Sequence, residues 1–389
     1  MKTESQSIQK TKPSNKKKNI EAIYPLSPLQ QGLLFHSTLD PKSGAYIEQL
    51  ECVLSGNPDI SNFHQAWQQT VDQHPVLRTG FFTKTAEKPV QIVSRQVNLP
   101  IDIQDWCNLS IEEQNQQWKK LLAEDRRRGF KLSTPPLMRQ SLVRLAEDSY
   151  RFLWSHHHIL LDGWSLALVL KEVLSRYESL CNGRDLHVQP PRSYRDYIAW
   201  LQHQDINAAE QYWREQLAGF TAPTPLTVDR DLSNQPSGYA EETLQLSTEN
   251  TTALQTLAKQ QQLTLNTLVQ GAWALLLSKY SGEQDIVFGV TTAGRPTELI
   301  GVESMVGLFI NTLPVRVKSA PDIRLPDWLK NLQTQNANLR QYDYTPLVEV
   351  QRWSDVPGGT PLFESIFAFE NYPLDSALRE QNSGSIEIQ

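Results

Sequence analysis

Cysteine is scarce: Cys52, Cys107 and Cys181 are the only three in 389 residues, with no CxxC pair among them. An odd, scattered set excludes a disulfide framework and a zinc knuckle. Long apolar runs are missing too. Mean hydropathy is −0.46, and no stretch approaches the ~18 residues that a membrane helix needs, which excludes a membrane span. The N-terminus lacks the apolar core of a secretory signal, since residues 1–19 hold six lysines and one glutamate with no hydrophobic run behind them. They read as a disordered basic tail, and the missing signal and disulfides together point to the cytoplasm. Without the tail, 31 basic residues stand against 42 acidic ones. Such a body repels nucleic acid, and the lysines read as a solubilising or docking tail.

What the chain does hold is an alternation of strand-like and helix-like segments. Strands are expected near 46–54, 78–83, 89–94, 137–145 and 150–156. A polar helix falls near 111–127, and another leaves Trp164 with Ala167, Leu170, Leu174, Tyr177 and Cys181 along one face. Pro190-Pro191 and the Pro/Ser/Asn/Gly stretch over 221–238 read as linkers, with Trp-containing helices over 194–203 and 208–217 between them. Beyond them a strand is expected over 242–246 and helices over 251–261 and 265–280. The second of these helices aligns Leu265, Leu268, Val269, Ala272 and Leu276 on one face. Strands at 285–290, 309–317 and 362–369 and a helix at 328–339 complete the set. The class is α/β in two lobes, 20–190 and 191–389, behind the tail 1–19.

One segment carries chemistry: Ser155-His156-His157-His158-Ile159-Leu160-Leu161-Asp162-Gly163-Trp164-Ser165. A strand enters it and a helix leaves it, the kind of crossing at which an α/β body exposes side chains and backbone N–H groups together. Adjacent side chains in an extended run diverge, and no HExxH or Cys/Asp cluster completes a site, so no metal is expected. Asp162 has the position of a helix N-cap. Gly163-Trp164-Ser165-Leu166-Ala167 nearly matches the nucleophile elbow GxSxG but ends in Ala. The sharper reading is a strand-end histidine acting on substrate, because imidazole accepts a proton near neutrality. The glycine at the helix start leaves an N–H free to face a developing oxyanion.

His157-His158-Ile159-Leu160-Leu161-Asp162-Gly163 resembles the HHxxxDG signature of nonribosomal peptide synthetase condensation domains, within the chloramphenicol acetyltransferase-like superfamily. Further segments are similar to that family's motifs in order: 24–36 (YPLSPLQQGLLFH), 74–79 (HPVLRT), 194–200 (YRDYIAW), 294–296 (GRP), 306–312 (VGLFINT) and 369–373 (FENYP). Each segment alone would pass as ordinary core or surface. Their order and joint presence from Tyr24 to Pro373 carry the resemblance.

The resemblance implies two chloramphenicol-acetyltransferase-like lobes forming a V-shaped pseudodimer with a central tunnel, in which Trp164 and Asn311 are candidates for the lining. It implies an acyltransferase-type amide synthase for secondary-metabolite synthesis. Donor and acceptor peptidyl carrier proteins would present thioesters on phosphopantetheine arms, beside neighbouring adenylation and carrier domains, with no cofactor bound covalently to this chain. His158 would deprotonate or position the acceptor amine, and Gly163 N–H would stabilise the oxyanion. His157 would support the site structurally, and Asp162 would enter a buried salt bridge with Arg295 as first partner and Arg78 as second. No nucleic acid or membrane partner is implied. The absence of an EGHGRE-like segment disfavours an epimerization domain, and the intact histidines disfavour a heterocyclization domain. The remaining alternatives are an idle carrier-docking module and a free-standing CoA-dependent acyltransferase. Family members usually continue past the FENYP segment, so the second lobe is expected to be incomplete. The Met1 start and basic tail suggest a domain that opens its polypeptide.

Overall fold

The computed structural model describes residues 19–41, 43–56, 58–83, 88–184, 191–226, 240–319, 322–371 and 386–388. The lysine-rich tail before Asn19, Pro190, most of the 221–238 stretch and the Tyr372-Pro373 end of the last motif lie outside these residues.

The first unit comprises residues 1–199, 301–308 and 372–389. Its largest sheet has the order β11-β2-β7-β6-β5, built from β2 (Ile47–Gly56), β5 (Ile101–Asp105), β6 (Met138–Ala146), β7 (Ser149–His157) and β11 (Ile386–Ile388). β7 is central, antiparallel to both β2 and β6. Every residue from Phe152 to His157 is buried, so both faces of the strand that delivers the histidines are covered. On one face Phe152 and Trp154 meet Phe63 and Trp67 of α2 (Ile60–Gln73), with centroids 5.1 Å apart for Phe63–Phe152 and 4.7 Å for Trp67–Trp154. The helix that follows the histidines, α4 (Gly163–Cys181), packs beside α2. On the other face Leu153 packs with Trp106, Trp118 and Val143 under α3 (Ile111–Arg128). Asp125 of α3 takes the Ser155 hydroxyl at 2.6 Å and the Arg139 guanidinium, tying that helix to β6 and β7. A smaller sheet, β1-β4-β3, joins β1 (Ile20–Pro25), β3 (Thr79–Phe82) and β4 (Val90–Ser94). Ser27 then caps α1 (Pro28–Leu39).

The second unit comprises residues 200–300 and 309–371. It packs α6 (Ile206–Leu217), α8 (Leu265–Ser281), α9 (Leu325–Leu339) and α10 (Leu347–Trp353) around β8 (Asp285–Thr292) and β9 (Asn311–Lys318). The sheet order is β10-β8-β9, with β10 (Ile366–Phe367) parallel to β8. α7 (Thr248–Gln261) precedes α8.

Four expectations change. The boundary does not fall at 190/191. α5 (Tyr194–Leu201) begins in the first unit, where the Tyr194 ring packs so tightly on Gly307 that a Cβ there would stand 2.1 Å from it. β11 likewise returns to β2, more than three hundred residues upstream, a pairing that local periodicity cannot show. The buried face of α8 is Thr267, Gln270, Gly271, Ala274 and Leu277, whereas Val269 and Leu276 are 39% and 46% exposed. α9 approaches at Gly271, where a Cβ would lie 2.4 Å from Leu329, and Gln270 pairs with Asn336 at 2.6 Å. Small and amide residues, not the aliphatic stripe, make that contact. Finally, 242–246 forms no strand, with Leu244 87% exposed, and the strand expected over 362–369 shrinks to two residues.

Candidate active site

β7 ends at His157, and the chain turns sharply before α4 begins at Gly163. Leu160 N–H donates to His157 O at 3.1 Å, and Leu161 N–H donates to His158 O at 3.3 Å. The Ile159, Leu160 and Leu161 side chains are buried, which pins this turn into the core. The three histidines therefore leave a fixed backbone in three different environments.

His156 is buried against Trp154, with ring centroids 4.8 Å apart, and among the described residues its Nε2 has no hydrogen-bond partner. Burial pushes its pKa down to about 3, because an imidazolium would lose its hydration. His157 has a determinate tautomer. Ile159 N–H can only donate, so Nδ1 of His157 accepts it at 3.1 Å, and the ring proton sits on Nε2, 3.1 Å from Ser37 Oγ. Burial, with the charge of His158 second, holds this ring down to about 4. His158 has the opposite tautomer. Its Nδ1 lies 2.9 Å from Leu161 O, which can only accept, so Nδ1 carries a proton and the uncharged ring has its lone pair on Nε2. Its backbone N–H donates to Tyr46 O at 2.9 Å. The ring is half-buried, and among the described residues nothing occupies Nε2. An oriented imidazole with an open Nε2 is what a base or an amine-positioning group requires.

Asp162 is 2% exposed and caps α4, its Oδ1 accepting Ser165 N–H at 2.8 Å. Gly163 is the first residue of α4, and among the described residues its N–H has no partner. That leaves an open donor at the positive end of the helix dipole. Ser165 is no nucleophile: it is fully buried, donating its hydroxyl to Gly307 O at 2.7 Å and accepting Gly307 N–H at 3.0 Å. Asp162 N–H also donates to Gly307 O, at 3.3 Å, and Trp164 Nε1 donates to Glu303 O at 2.9 Å. The start of α4 is thus docked on the 301–308 segment.

Arg78 makes no bond to Asp162. Its guanidinium donates to Glu21 at 2.7 Å, to Val71 O at 3.2 Å and to the carbonyls of Ser94 and Arg95, bracing the small sheet. In the second unit, Gly294 has φ +59° and a Cβ there would lie 1.8 Å from Phe309 O, so only glycine fits the turn. Arg295 lies over the Phe309 ring, 3.9 Å from its centroid. Asn311 is 5% exposed, and its amide donates to Asp343 O at 2.9 Å and Thr345 O at 2.8 Å. The Asp343 carboxyl accepts Gly294 N–H, and burial pushes its pKa up to about 7. Sequence reasoning missed Ser37, Tyr46, Gly307 and Asp343. Only Gly307 stood inside a recognised motif, and the others act through tertiary contacts that no pattern encodes. Among the described residues no group of three His, Cys, Asp or Glu is placed to hold a metal, and no helix is long and apolar enough to cross a membrane. A pocket of about 460 Å3 in the second unit, lined by residues that include Tyr212, Arg316 and Asn338, contains none of these groups.

A condensation-domain family model matches residues 20–387. Two proteins of the linear gramicidin synthase of Brevibacillus parabrevis are similar to the chain. One is 50% identical over 359 residues, which are 92% of this chain and 7% of that protein. The other is 48% identical over 367 residues, 94% of this chain and 5% of that protein. The chain therefore spans only a small fraction of the length of these relatives. Among solved structures, the first condensation domain of the calcium-dependent antibiotic synthetase superposes with a TM-score of 0.72 at 18% identity, over 90% of this chain and 82% of that one. A four-domain nonribosomal peptide synthetase gives 0.74 at 22% identity, over 90% of this chain and 27% of that one. The chain belongs to the condensation-domain family, and it has the fold of these solved structures.

Proposed function

We propose that this domain makes a peptide bond between two carrier-bound substrates, with His158 Nε2 as the group that receives or orients the acceptor amine. The observation that carries this reading is the locked His158 tautomer, which leaves Nε2 open on a residue only a short turn before the helix start at Gly163. The amine nitrogen of an aminoacyl acceptor attacks the carbonyl carbon of a donor aminoacyl or peptidyl thioester. The C–S bond breaks, the carrier's thiol leaves with a proton, and the amine's proton passes by way of Nε2. Gly163 N–H faces the oxyanion in this account. Asp162 and His157 hold the turn, and Arg295 and Asn311 organise the corresponding junction of the second unit. The phosphopantetheine arms belong to the partner carrier proteins and are substrates, supplied by neighbouring carrier and adenylation domains.

His158→Ala should lower kcat by ~10²–10⁴ with the fold intact, the usual scale for a lost general base. Donor and acceptor carriers loaded with aminoacyl groups supply the assay. Undiminished turnover by His158→Ala would remove the assignment, and turnover with CoA thioesters and no carrier would favour a free-standing acyltransferase.

A further inference from the structure

We infer that Gln30 is a positioning residue for His158, acting from α1 on the turn that carries it; this rests on the role proposed above for His158. Gln30 is a fully buried polar side chain at the start of α1. Its Nε2 donates to Ile159 O at 3.2 Å, across 129 residues of sequence. Its Oε1 accepts Ser27 N–H at 3.0 Å and the Gln91 amide at 3.0 Å, and Gln91, also fully buried, is itself anchored on Pro25 O at 2.8 Å. Ile159 is consequently gripped at both backbone groups, its N–H by His157 Nδ1 and its C=O by Gln30. Two residues further along the same turn, Leu161 O holds the Nδ1–H of His158. Ser37, seven residues beyond Gln30 and so two turns along the same face of α1, bonds His157 Nε2. One helix face therefore contacts the histidine turn at two points. A buried carbonyl stripped of its donor is costly, so without the Gln30 amide the turn should rotate to find another partner and carry the imidazole with it.

A glutamine at this place in a capping box has a simpler use, closing the first turn of α1 through Ser27. Gln30→Glu separates the two roles. Glutamate keeps the oxygen that accepts Ser27 N–H and the Gln91 amide, but replaces the donor facing Ile159 O with a second oxygen. When protonated, that carboxyl donates again. Measured with aminoacyl-loaded donor and acceptor carriers, Gln30→Glu should lose ~10- to 100-fold in kcat at pH 8, the scale of a small misplacement at the reacting centre. KM for either carrier should stay within about twofold, the scale of an unchanged binding surface. Relative to the wild type at the same pH, the deficit should shrink as pH falls and the new carboxyl protonates. Gln30→Met, which has no donor at any pH, should show the same loss in kcat without the recovery, and it serves if Gln30→Glu does not fold. Wild-type kcat in both variants, or a loss accompanied by a matching fall in Tm with an unchanged pH profile, would make Gln30 a cap alone. His158→Ala run in parallel keeps the two ideas apart. If that variant is fully active, the role of His158 fails. If it is inactive while Gln30→Glu matches wild type at every pH, the role of Gln30 fails.

Discussion

Three consecutive histidines become three different chemical groups because each meets a different partner. His156 packs against Trp154, His157 is locked between Ile159 N–H and Ser37, and His158 bonds Leu161 O through Nδ1 and leaves Nε2 open among the described residues. The pattern HHxxxDG and the near-neutral pKa of imidazole made this segment legible as the candidate site. The tautomers were not, since they depend on a backbone N–H, a hydroxyl on α1 and a carbonyl one turn later. The first two rings have a consequence for stability. Both are held below the ordinary 6.5, at about 3 and about 4. Between pH 6.5 and those values the unfolded chain binds protons that the folded chain refuses, so the contribution of these two rings is flat above 6.5 and turns destabilising as pH falls through that window, against an opposing contribution from Asp343, whose pKa is raised to about 7. At about 1.4 kcal/mol per pH unit for each ring, the pair should cost roughly 4 kcal/mol between pH 6.5 and 5. His156→Phe should lose about 2 kcal/mol less than the wild type over the same interval, read from urea midpoints at each pH. Equal losses in the two proteins would contradict the burial of an uncharged His156.

At the scale of elements, long periodic segments were readable and single contacts were not. α3, α4 and α9 lie where the apolar spacing put them, within a few residues. α8 was found but turned the wrong way, because its contact with α9 is made by Gly271, Ala274 and an amide pair. β11 escaped altogether, since a three-residue strand draws its stability from its partner and not from its own sequence. The Gly-Arg-Pro turn shows the converse, a motif whose physical reason appears only in the structure. Gly294 combines a left-handed backbone with a carbonyl in the place of a Cβ. Gly294→Ala should therefore destabilise the second unit by at least ~1–3 kcal/mol, with the strain and the overpacking adding. Denaturant unfolding checks this, and a change below a few tenths of a kcal/mol would show that the turn relaxes freely.

At the scale of the whole molecule, the interleaving of strand-like and helix-like segments led to an α/β reading, and the ordered motifs narrowed it to one family. The family match over residues 20–387 and the superposition with solved condensation domains agree with it. The two units each have their own core, and segments 301–308 and 386–388 fold with the first unit although they follow most of the second in sequence. A division drawn from linker composition had no access to that return. The central claim is that this domain moves an acyl group from one carrier protein to the amine on another. Intact-protein mass spectrometry of two separately loaded carriers, mixed with the wild-type domain, tests it most directly. The acceptor carrier should gain the mass of the donor's acyl group while the donor carrier returns to its free thiol. An acceptor carrier of unchanged mass, with donor hydrolysis as the sole product, would contradict the account.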